Sequence, residues 1–189
     1  MSQANAPTVR PDFFLIGAAK SGTTSLANYL DSHPDVYLCK PKEPNFFAFP
    51  PNVEPSCQGP APAEVLFDKL LRYSVTVPAE YDRLFKPATT GQQTGDASVR
   101  YLYEPSAAER IANHAPNAKA IAILREPVAR MYSHYHMNVR NGFEPLTFED
   151  ALQAEDERVT SGWGWDWHYR RVGRYAKQLD RYFAALGRE

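Results

Sequence analysis

The chain has 189 residues, with 43% apolar and 13% aromatic side chains and a formal net charge of −1. This length and composition exclude a disordered chain, and we expect a single domain over residues 1–189. The balance of 21 basic against 22 acidic residues argues against binding to nucleic acid or to a membrane surface. Two cysteines exclude a disulfide framework, no apolar run is long enough to span a membrane, and the first residues lack a signal-peptide core. We therefore expect a cytoplasmic protein.

The first third of the sequence predicts two strands and two helices. The apolar run at residues 13–16 stops at a glycine, as a buried strand entering a turn would. Apolar residues then recur at helical spacing over residues 26–30, and a second short strand is expected at residues 36–38. The five prolines in residues 50–62 predict an irregular loop, which is followed by a helix around residues 65–71.

The second half repeats the order of strand and helix. Ser106 and Glu109 form a capping-box pattern that opens a short helix. The apolar run at residues 120–124 predicts a strand that is buried on both faces. Pro127 suits the first turn of the next helix. The buried stripe expected for that helix consists of Val128, Met131, Tyr132, Tyr135 and Val139.

Two further helices are predicted towards the C-terminus. Thr147 can cap the first of them, with Asp150 three residues later. The second covers residues 175–186, where apolar residues recur at helical spacing, and it ends at Gly187. Strands that alternate with helices indicate an α/β fold, with a central parallel sheet and helices on both of its faces.

A short polar loop, residues 17–25, lies where the first strand gives way to the first helix. Its small residues let the backbone approach an anion closely, and the N–H groups of a first helical turn point toward the anion. Lys20 adds a positive charge, but it precedes Gly22, whereas the Walker A motif has its lysine directly after the last glycine. An ordinary tight turn is the alternative interpretation. The candidate anion-binding residues are Lys20, Ser21, Gly22, Thr23, Thr24 and Ser25.

A second candidate anion site follows the strand predicted at residues 120–124. Arg125 stands at the carboxyl end of this strand, the edge at which open α/β sheets bind ligands. Ser133, two turns into the next helix, can hold a phosphate together with Arg125. The alternative is an exposed arginine and a solvated serine. Because a magnesium-binding NTPase usually carries Asp where Arg125 stands, we expect an anion bound without a metal.

Glu43 is a candidate general base. It lies in the segment Lys-Pro-Lys-Glu-Pro-Asn-Phe-Phe, residues 40–47, directly after the predicted second strand. A carboxylate in such a position can accept a proton from an attacking nucleophile. From spacing alone, however, a charged loop with two core phenylalanines is the favoured interpretation.

In this order, the three segments resemble the sulfotransferases that use 3'-phosphoadenosine 5'-phosphosulfate (PAPS). The likeness is strongest to the branch of the heparan-type carbohydrate enzymes and their bacterial relatives. Residues 17–25 look like the 5'-phosphosulfate loop of the family, and Arg125 and Ser133 match its 3'-phosphate pair in type and spacing. Residues 42–47 look like the Lys-Glu-x-x-Phe-Phe segment whose glutamate is the base in that branch, and residues 94–101 also fit.

The resemblance implies a P-loop-like, three-layer fold with a central parallel sheet. It also implies transfer of a sulfuryl group from PAPS to a hydroxyl or amine of a small-molecule or carbohydrate acceptor. Lys20 would stabilise the leaving phosphate and Glu43 would act as the general base, with no metal required. A nucleotide kinase or NTPase of the P-loop class and a non-catalytic nucleotide-binding module are the alternatives.

The sequence departs from the family pattern in two places. Residues 96–98, Asp-Ala-Ser, lack the histidine base that the resemblance to the cytosolic small-molecule branch would require. Members of the family normally continue with another strand and a basic, glycine-containing loop that closes over the nucleotide. We therefore expect a domain that is truncated at its C-terminus.

The alternating tryptophans Trp163, Trp165 and Trp167 have two interpretations. They can line an acceptor pocket, because aromatic faces stack on sugars and ring substrates, or they can pack a loop onto the core. His134 and His136 are two residues apart, which does not suit joint metal ligation on one face of a helix.

Overall fold

The computed structural model describes residues 10–49 and 58–188. Its centre is a parallel sheet of four strands in the order β2-β3-β1-β4. The strands are β1 (Phe13–Gly17), β2 (Val36–Leu38), β3 (Gln93–Ala97) and β4 (Lys119–Ala122). The predicted parallel α/β architecture is therefore confirmed.

Helices connect the strands and continue beyond the last of them. They are α1 (Thr23–Asp31), α2 (Ala63–Leu71), α3 (Pro78–Arg83), α4 (Ala107–His114), α5 (Pro127–Arg140), α6 (Phe148–Gln153), α7 (Glu155–Thr160) and α8 (Tyr175–Leu186). Single 3₁₀ turns lie at Phe46–Ala48, Trp165–Trp167 and Arg171–Gly173. Within the described residues, no helix is both long and apolar enough to cross a membrane.

Helices cover both faces of the sheet, as predicted. Successive side chains of a strand point to opposite faces, and every residue of β1 is buried. Phe14 and Ile16 belong to a core cluster that includes side chains of α4 and α8. Phe13 and Leu15 pack on the opposite face with Ala27 of α1. The sheet is thus the middle layer of three.

The prediction that the strand at residues 120–124 is buried on both faces was wrong. β4 is an edge strand, which pairs with β1 on one side and has no neighbour on the other side among the described residues. Ala120 is exposed and Leu124 remains 43% exposed, whereas Ile121 is half-buried. An apolar run therefore marked a strand correctly here but did not determine its place in the sheet.

The predicted buried stripe of α5 was wrong in part, because Met131 and Tyr135 are half-buried against a core cluster but are not the buried residues of the helix. Arg130, His134 and Asn138 are its buried residues, while Val128 and Tyr132 are more than half exposed. Two of these buried side chains donate to main-chain carbonyls of the segment packed against the helix. Arg130 donates to the carbonyl of Tyr169, and Asn138 donates to that of Asp166 at 2.7 Å. Because buried carbonyls need donors, this helix presents a polar face to the interior.

The sequence predicted the end of α8 and the N-terminal caps of α4 and α6, and two of these three predictions are confirmed. The Thr147 hydroxyl accepts from the Asp150 amide at 3.2 Å and caps α6, as predicted. α8 ends where expected, at Gly187, whose φ of 86° suits a glycine. The capping box of α4 was wrong, because the hydroxyl of Ser106 donates to Glu104 and makes no cap bond.

Candidate functional site

The loop between β1 and α1 carries the amide groups that open a helix. Gly22 is the N-cap residue of α1 and has a φ of 94°, a conformation that favours glycine. Lys20 is also left-handed, with a φ of 68°. The first turn of α1 begins at Thr23, so its free N–H groups face out of the end of the helix beside the Lys20 side chain. This geometry suits an anion.

A cleft of about 410 Å³ opens beside this loop. Its walls come from the loop, from α5 and from three other segments of the chain. The lining residues are Ala19, Lys20, Gly22, Thr23, Thr24, Glu43, Val99, Ser133, His134, Met137, Trp165 and Asp166. The cleft therefore contains the two predicted catalytic residues, Lys20 and Glu43, and one member of the predicted 3'-phosphate pair, Ser133.

Three of the predicted site residues do not line the cleft. Ser21 has a buried side chain, whose hydroxyl has no hydrogen-bond partner among the described residues, and Ser25 is exposed on α1. Arg125 is exposed at the edge of the cleft, where its guanidinium donates to the carbonyl of Lys20 at 3.4 Å. The side chain of Arg125 thus contacts the main chain of the loop and not its side chains.

Positive charge concentrates around the Lys20 ammonium. Burial lowers the pKa of Lys20, and the nearby Arg140 and Arg125 lower it further. The Nζ atom contacts the sulfur of Met137 at 3.6 Å and makes no salt bridge with a carboxylate in the described part of the chain. A bound anion would supply the missing counter-charge, so the charge distribution of the cleft suits an anionic ligand.

Glu43 is held by its main chain. Its amide donates to the carbonyl of Ala97 at 3.1 Å, at the carboxyl end of β3, and its φ is 64°. Two residues later, the amide of Asn45 donates to the hydroxyl of Ser98 at 3.1 Å. The carboxylate itself accepts from Lys42 at 2.7 Å. The side chain is therefore presented to the cleft from a fixed backbone.

A buried carboxylate lies beneath this segment. Asp96 of β3 accepts hydrogen bonds from Ser98, Tyr81 and Tyr101 at 2.7–2.9 Å and is fully buried. Burial raises the pKa of Asp96 to about 6, against the opposing effect of the three hydroxyls. Asp96 does not line the cleft, and its network instead fixes Ser98, which holds Asn45.

A smaller cavity of about 120 Å³ adjoins the cleft. Glu43, Trp165 and Asp166 line both cavities and so form the wall between them. The remaining residues that line the small cavity are Asn45, Lys69, Tyr73, Ser74 and Arg100. It is a small recess whose lining is mostly polar.

Of the three tryptophans, two pack a loop onto the core and one lines the cleft. Trp167 is fully buried, and its indole N–H donates to the carbonyl of Phe143 at 2.8 Å, while Trp163 packs on it edge to face. Trp165 instead lines the cleft and the recess. His134 is a lining residue of the cleft that sequence reasoning missed. The signal for His134 was the polar series at positions 130, 134 and 138 of α5, which recurs at helical spacing.

Among residues 10–49 and 58–188, no group of three His, Cys, Asp or Glu side chains could hold a metal ion.

Of the two cysteines, Cys39 is a buried free thiol. Cys57 lies outside the described residues, and so does most of the predicted proline-rich loop.

Comparison with known proteins identifies the family. The profile of the sulfotransferase family matches residues 11–185. The chain belongs to the sulfotransferase family. A solved sulfotransferase from Alicyclobacillus acidocaldarius is 40% identical and superposes with a TM-score of 0.86, over 95% of this chain and 70% of that one. The predicted family and the P-loop-like fold are thereby confirmed.

Curated relatives are more distant and longer. Heparan sulfate glucosamine 3-O-sulfotransferase 6 of Mus musculus is 28% identical over 92% of this chain and 44% of its own length. A membrane-associated sulfotransferase of Dictyostelium discoideum is 25% identical over 90% of this chain and 33% of its own length. The chain thus spans less than half the length of these two sulfotransferases.

Proposed function

We propose that this chain transfers a sulfuryl group from PAPS to a hydroxyl or amine of an acceptor. The observation that carries the proposal is that the Lys20 loop and the Glu43 carboxylate line one cleft. Sulfuryl transfer needs both groups on opposite sides of the sulfur atom. It needs a cation at the departing phosphate and a base at the attacking oxygen or nitrogen.

The residues of the cleft fit the phosphates of the donor. The free N–H groups of α1, with Gly22 at the N-cap, suit the 5'-phosphosulfate, and Lys20 stands beside them. Ser133 and Arg125 flank the same loop and suit the 3'-phosphate. PAPS supplies an activated sulfuryl group, and its negative charge is met by these side chains and amides without a metal.

Each side chain has one role in the transfer. Lys20 neutralises the charge that develops on the phosphate oxygen as the bond between that oxygen and sulfur breaks. Glu43 accepts the proton that the acceptor hydroxyl or amine loses as its bond to sulfur forms. The products are the sulfated acceptor and adenosine 3',5'-bisphosphate (PAP), with the proton on Glu43.

The recess beside Glu43 is the proposed acceptor entrance. Its polar lining, which includes Ser74, Arg100 and Asp166, suits a hydroxyl-bearing group better than an apolar one. The heparan sulfate relatives carry a carbohydrate substrate in their names, and a carbohydrate acceptor is accordingly the first choice. A small-molecule acceptor is the second.

The test compares nucleotides and then measures transfer. Calorimetry should show that PAP binds, and that ATP with magnesium, the ligand of a kinase or NTPase, binds much more weakly. Mass spectrometry should then detect a sulfated product when PAPS is mixed with a panel of sugar and amine acceptors. Preference for ATP would contradict the proposal, and PAP binding without transfer to any acceptor would indicate a non-catalytic nucleotide-binding module.

A further inference from the structure

An exposed aromatic side chain lies beside the proposed base. Tyr73 follows α2 and is 58% exposed, and it lines the recess together with Glu43. Single exposed aromatic residues are common on protein surfaces, so exposure alone indicates no function. The position of Tyr73 is what distinguishes it, because its side chain forms part of the wall of a recess that the proposed base also lines.

Hydrogen bonds connect the segment that follows α2 to the segment that carries the base. The amide of Val75 donates to the carbonyl of Pro44 at 2.7 Å. The side-chain amide of Asn45 donates to the carbonyl of Glu43 at 2.8 Å and to the hydroxyl of Ser74 at 3.2 Å. The two segments are therefore held against each other before any ligand binds, which reduces the entropy lost when a ligand contacts both.

Tyr73 differs from Trp165, which is also an aromatic residue of the recess. Trp165 is half-buried, and its ring already contacts the guanidinium of Arg100, 5.1 Å from the ring centre, and the ring of Tyr103 at 6.4 Å. In the described part of the chain, no other ring packs on Tyr73. Tyr73 thus offers the more accessible aromatic surface to a ligand in the recess.

The charged groups deeper in the recess are paired with one another. Asp166 lies 3.5 Å from the ammonium of Lys69 and 3.8 Å from the guanidinium of Arg100. A ligand therefore meets compensated charges on one side and the ring of Tyr73 on the other. A six-membered ring that carries a hydroxyl or an amine suits this lining, because its flat face packs on an aromatic ring while its polar group reaches the polar wall.

We propose that Tyr73 is a specificity-determining residue that packs against a ring of the acceptor, sugar or aromatic, and so favours ring-bearing acceptors over open-chain ones. This inference rests on the proposed function. The acceptor ring lies against Tyr73 while its hydroxyl or amine reaches Glu43, since both residues line the same recess. The contact is present before and during transfer, so it strengthens acceptor binding and leaves the chemical step unchanged.

Acceptor pairs that differ in ring closure test the inference directly. The pairs are methyl glucoside with glucitol, and benzylamine with hexylamine. Transfer assays on the full chain should show that Tyr73→Leu raises the KM of a ring-bearing acceptor about three- to tenfold, with its kcat and the PAP affinity unchanged. The KM of the open-chain partner should stay the same.

Two further variants serve as controls. Tyr73→Phe keeps the ring and should behave as the wild type does. Tyr29→Leu changes a tyrosine on α1 that is 74% exposed and lines neither cavity, and it should leave every KM unchanged. Equal KM changes for ring-bearing and open-chain acceptors in Tyr73→Leu, or transfer to open-chain acceptors alone, would overturn the inference.

A second readout does not need turnover. In a chain with ¹³C-labelled tyrosine, the ring resonance that disappears in Tyr73→Leu should shift when methyl glucoside or benzylamine is added in the presence of PAP. It should not shift with glucitol or hexylamine. A resonance that neither ring-bearing probe moves would overturn the inference. A chain that binds such a probe at Tyr73 but transfers no sulfuryl group contradicts the proposed function instead.

Discussion

The amide of Glu43 donates to the carbonyl of Ala97 at 3.1 Å, so the proposed base is attached to the carboxyl end of β3. Four residues earlier, the amide of Cys39 donates to Gly95 of the same strand at 3.0 Å. The Lys-Glu segment therefore follows the edge of the sheet as an irregular continuation of β2. Because these bonds use main-chain atoms, changes to the Glu43 side chain leave its backbone in place.

Glu43→Gln should separate binding from chemistry. We expect PAP affinity to stay unchanged and sulfate transfer to slow by about 10²–10⁴-fold, the usual contribution of a general base. The amide keeps the size of the side chain but cannot accept the proton. Calorimetry and a mass-spectrometric transfer assay measure the two quantities. Glu109→Gln, an exposed carboxylate on α4, is the control, and full turnover in Glu43→Gln would exclude Glu43 as the base.

Arg125→Ala should weaken PAP binding. PAP bound to the native chain should raise the melting temperature, and loss of a charge-assisted hydrogen bond should reduce the binding free energy by about 1.5–3 kcal/mol. Adenosine 5'-phosphate has no 3'-phosphate and should bind both chains equally. Thermal shift at several nucleotide concentrations measures the effect. Arg83→Ala changes an exposed arginine on α3 as the control, and equal PAP shifts in all three chains would remove Arg125 from the site.

The polar face of α5 should matter more for stability than its exposed apolar residues. Asn138→Leu leaves the carbonyl of Asp166 without its donor and should lower the free energy of unfolding by about 1–3 kcal/mol. Val139→Ser, one position further along, changes an exposed residue and should cost less than about 0.5 kcal/mol. Urea denaturation compares the two. The opposite ranking would mean that the apolar stripe is the buried one.

Asp96 should make the chain less stable as the pH rises from 4 to 7. Its pKa is about 6 in the fold against an ordinary 3.8, so the unfolded chain loses the proton first over this interval. The difference corresponds to about 3 kcal/mol, which is absent below pH 4 and complete above pH 6. Asp96→Asn lacks this contribution. Urea denaturation of both chains at each pH should show the wild type losing stability relative to the variant, and a constant difference would contradict the raised pKa.

The sequence predicted most elements whose burial follows from apolar residues. β1 and β2 are predicted by short apolar runs, and α1 and α8 by apolar residues that recur at helical spacing. β3 gave no such signal, since Gln-Thr-Gly-Asp-Ala contains a glycine and a carboxylate. The glycine and the carboxylate are each explained by contacts with residues far away in the sequence. A Cβ at Gly95 would come within 2.2 Å of the Phe13 ring, and Asp96 is satisfied by Tyr81 and Tyr101.

The same limit applies to the site. The loop around Lys20 could be predicted because phosphate-binding turns have a local composition, and Glu43 came from a resemblance. His134 could not, because its position in the cleft wall depends on how α5 packs against residues 165–169. Arg130 illustrates the reason: its partners are a carbonyl 39 residues away and an imidazole one helical turn away. Only the folded chain brings such groups together.

The left-handed backbone of Lys20 and Glu43 has a consequence for selection. Both residues have φ values near 65°, a conformation that costs a residue with a Cβ about 1 kcal/mol relative to glycine. Glycine at either position should therefore raise thermal stability while removing the charged group. With the roles proposed for Lys20 and Glu43, directed evolution for heat resistance alone would select against activity at these two positions. Any thermostabilisation library for this protein should hold both of them fixed, or be screened for transfer in every round.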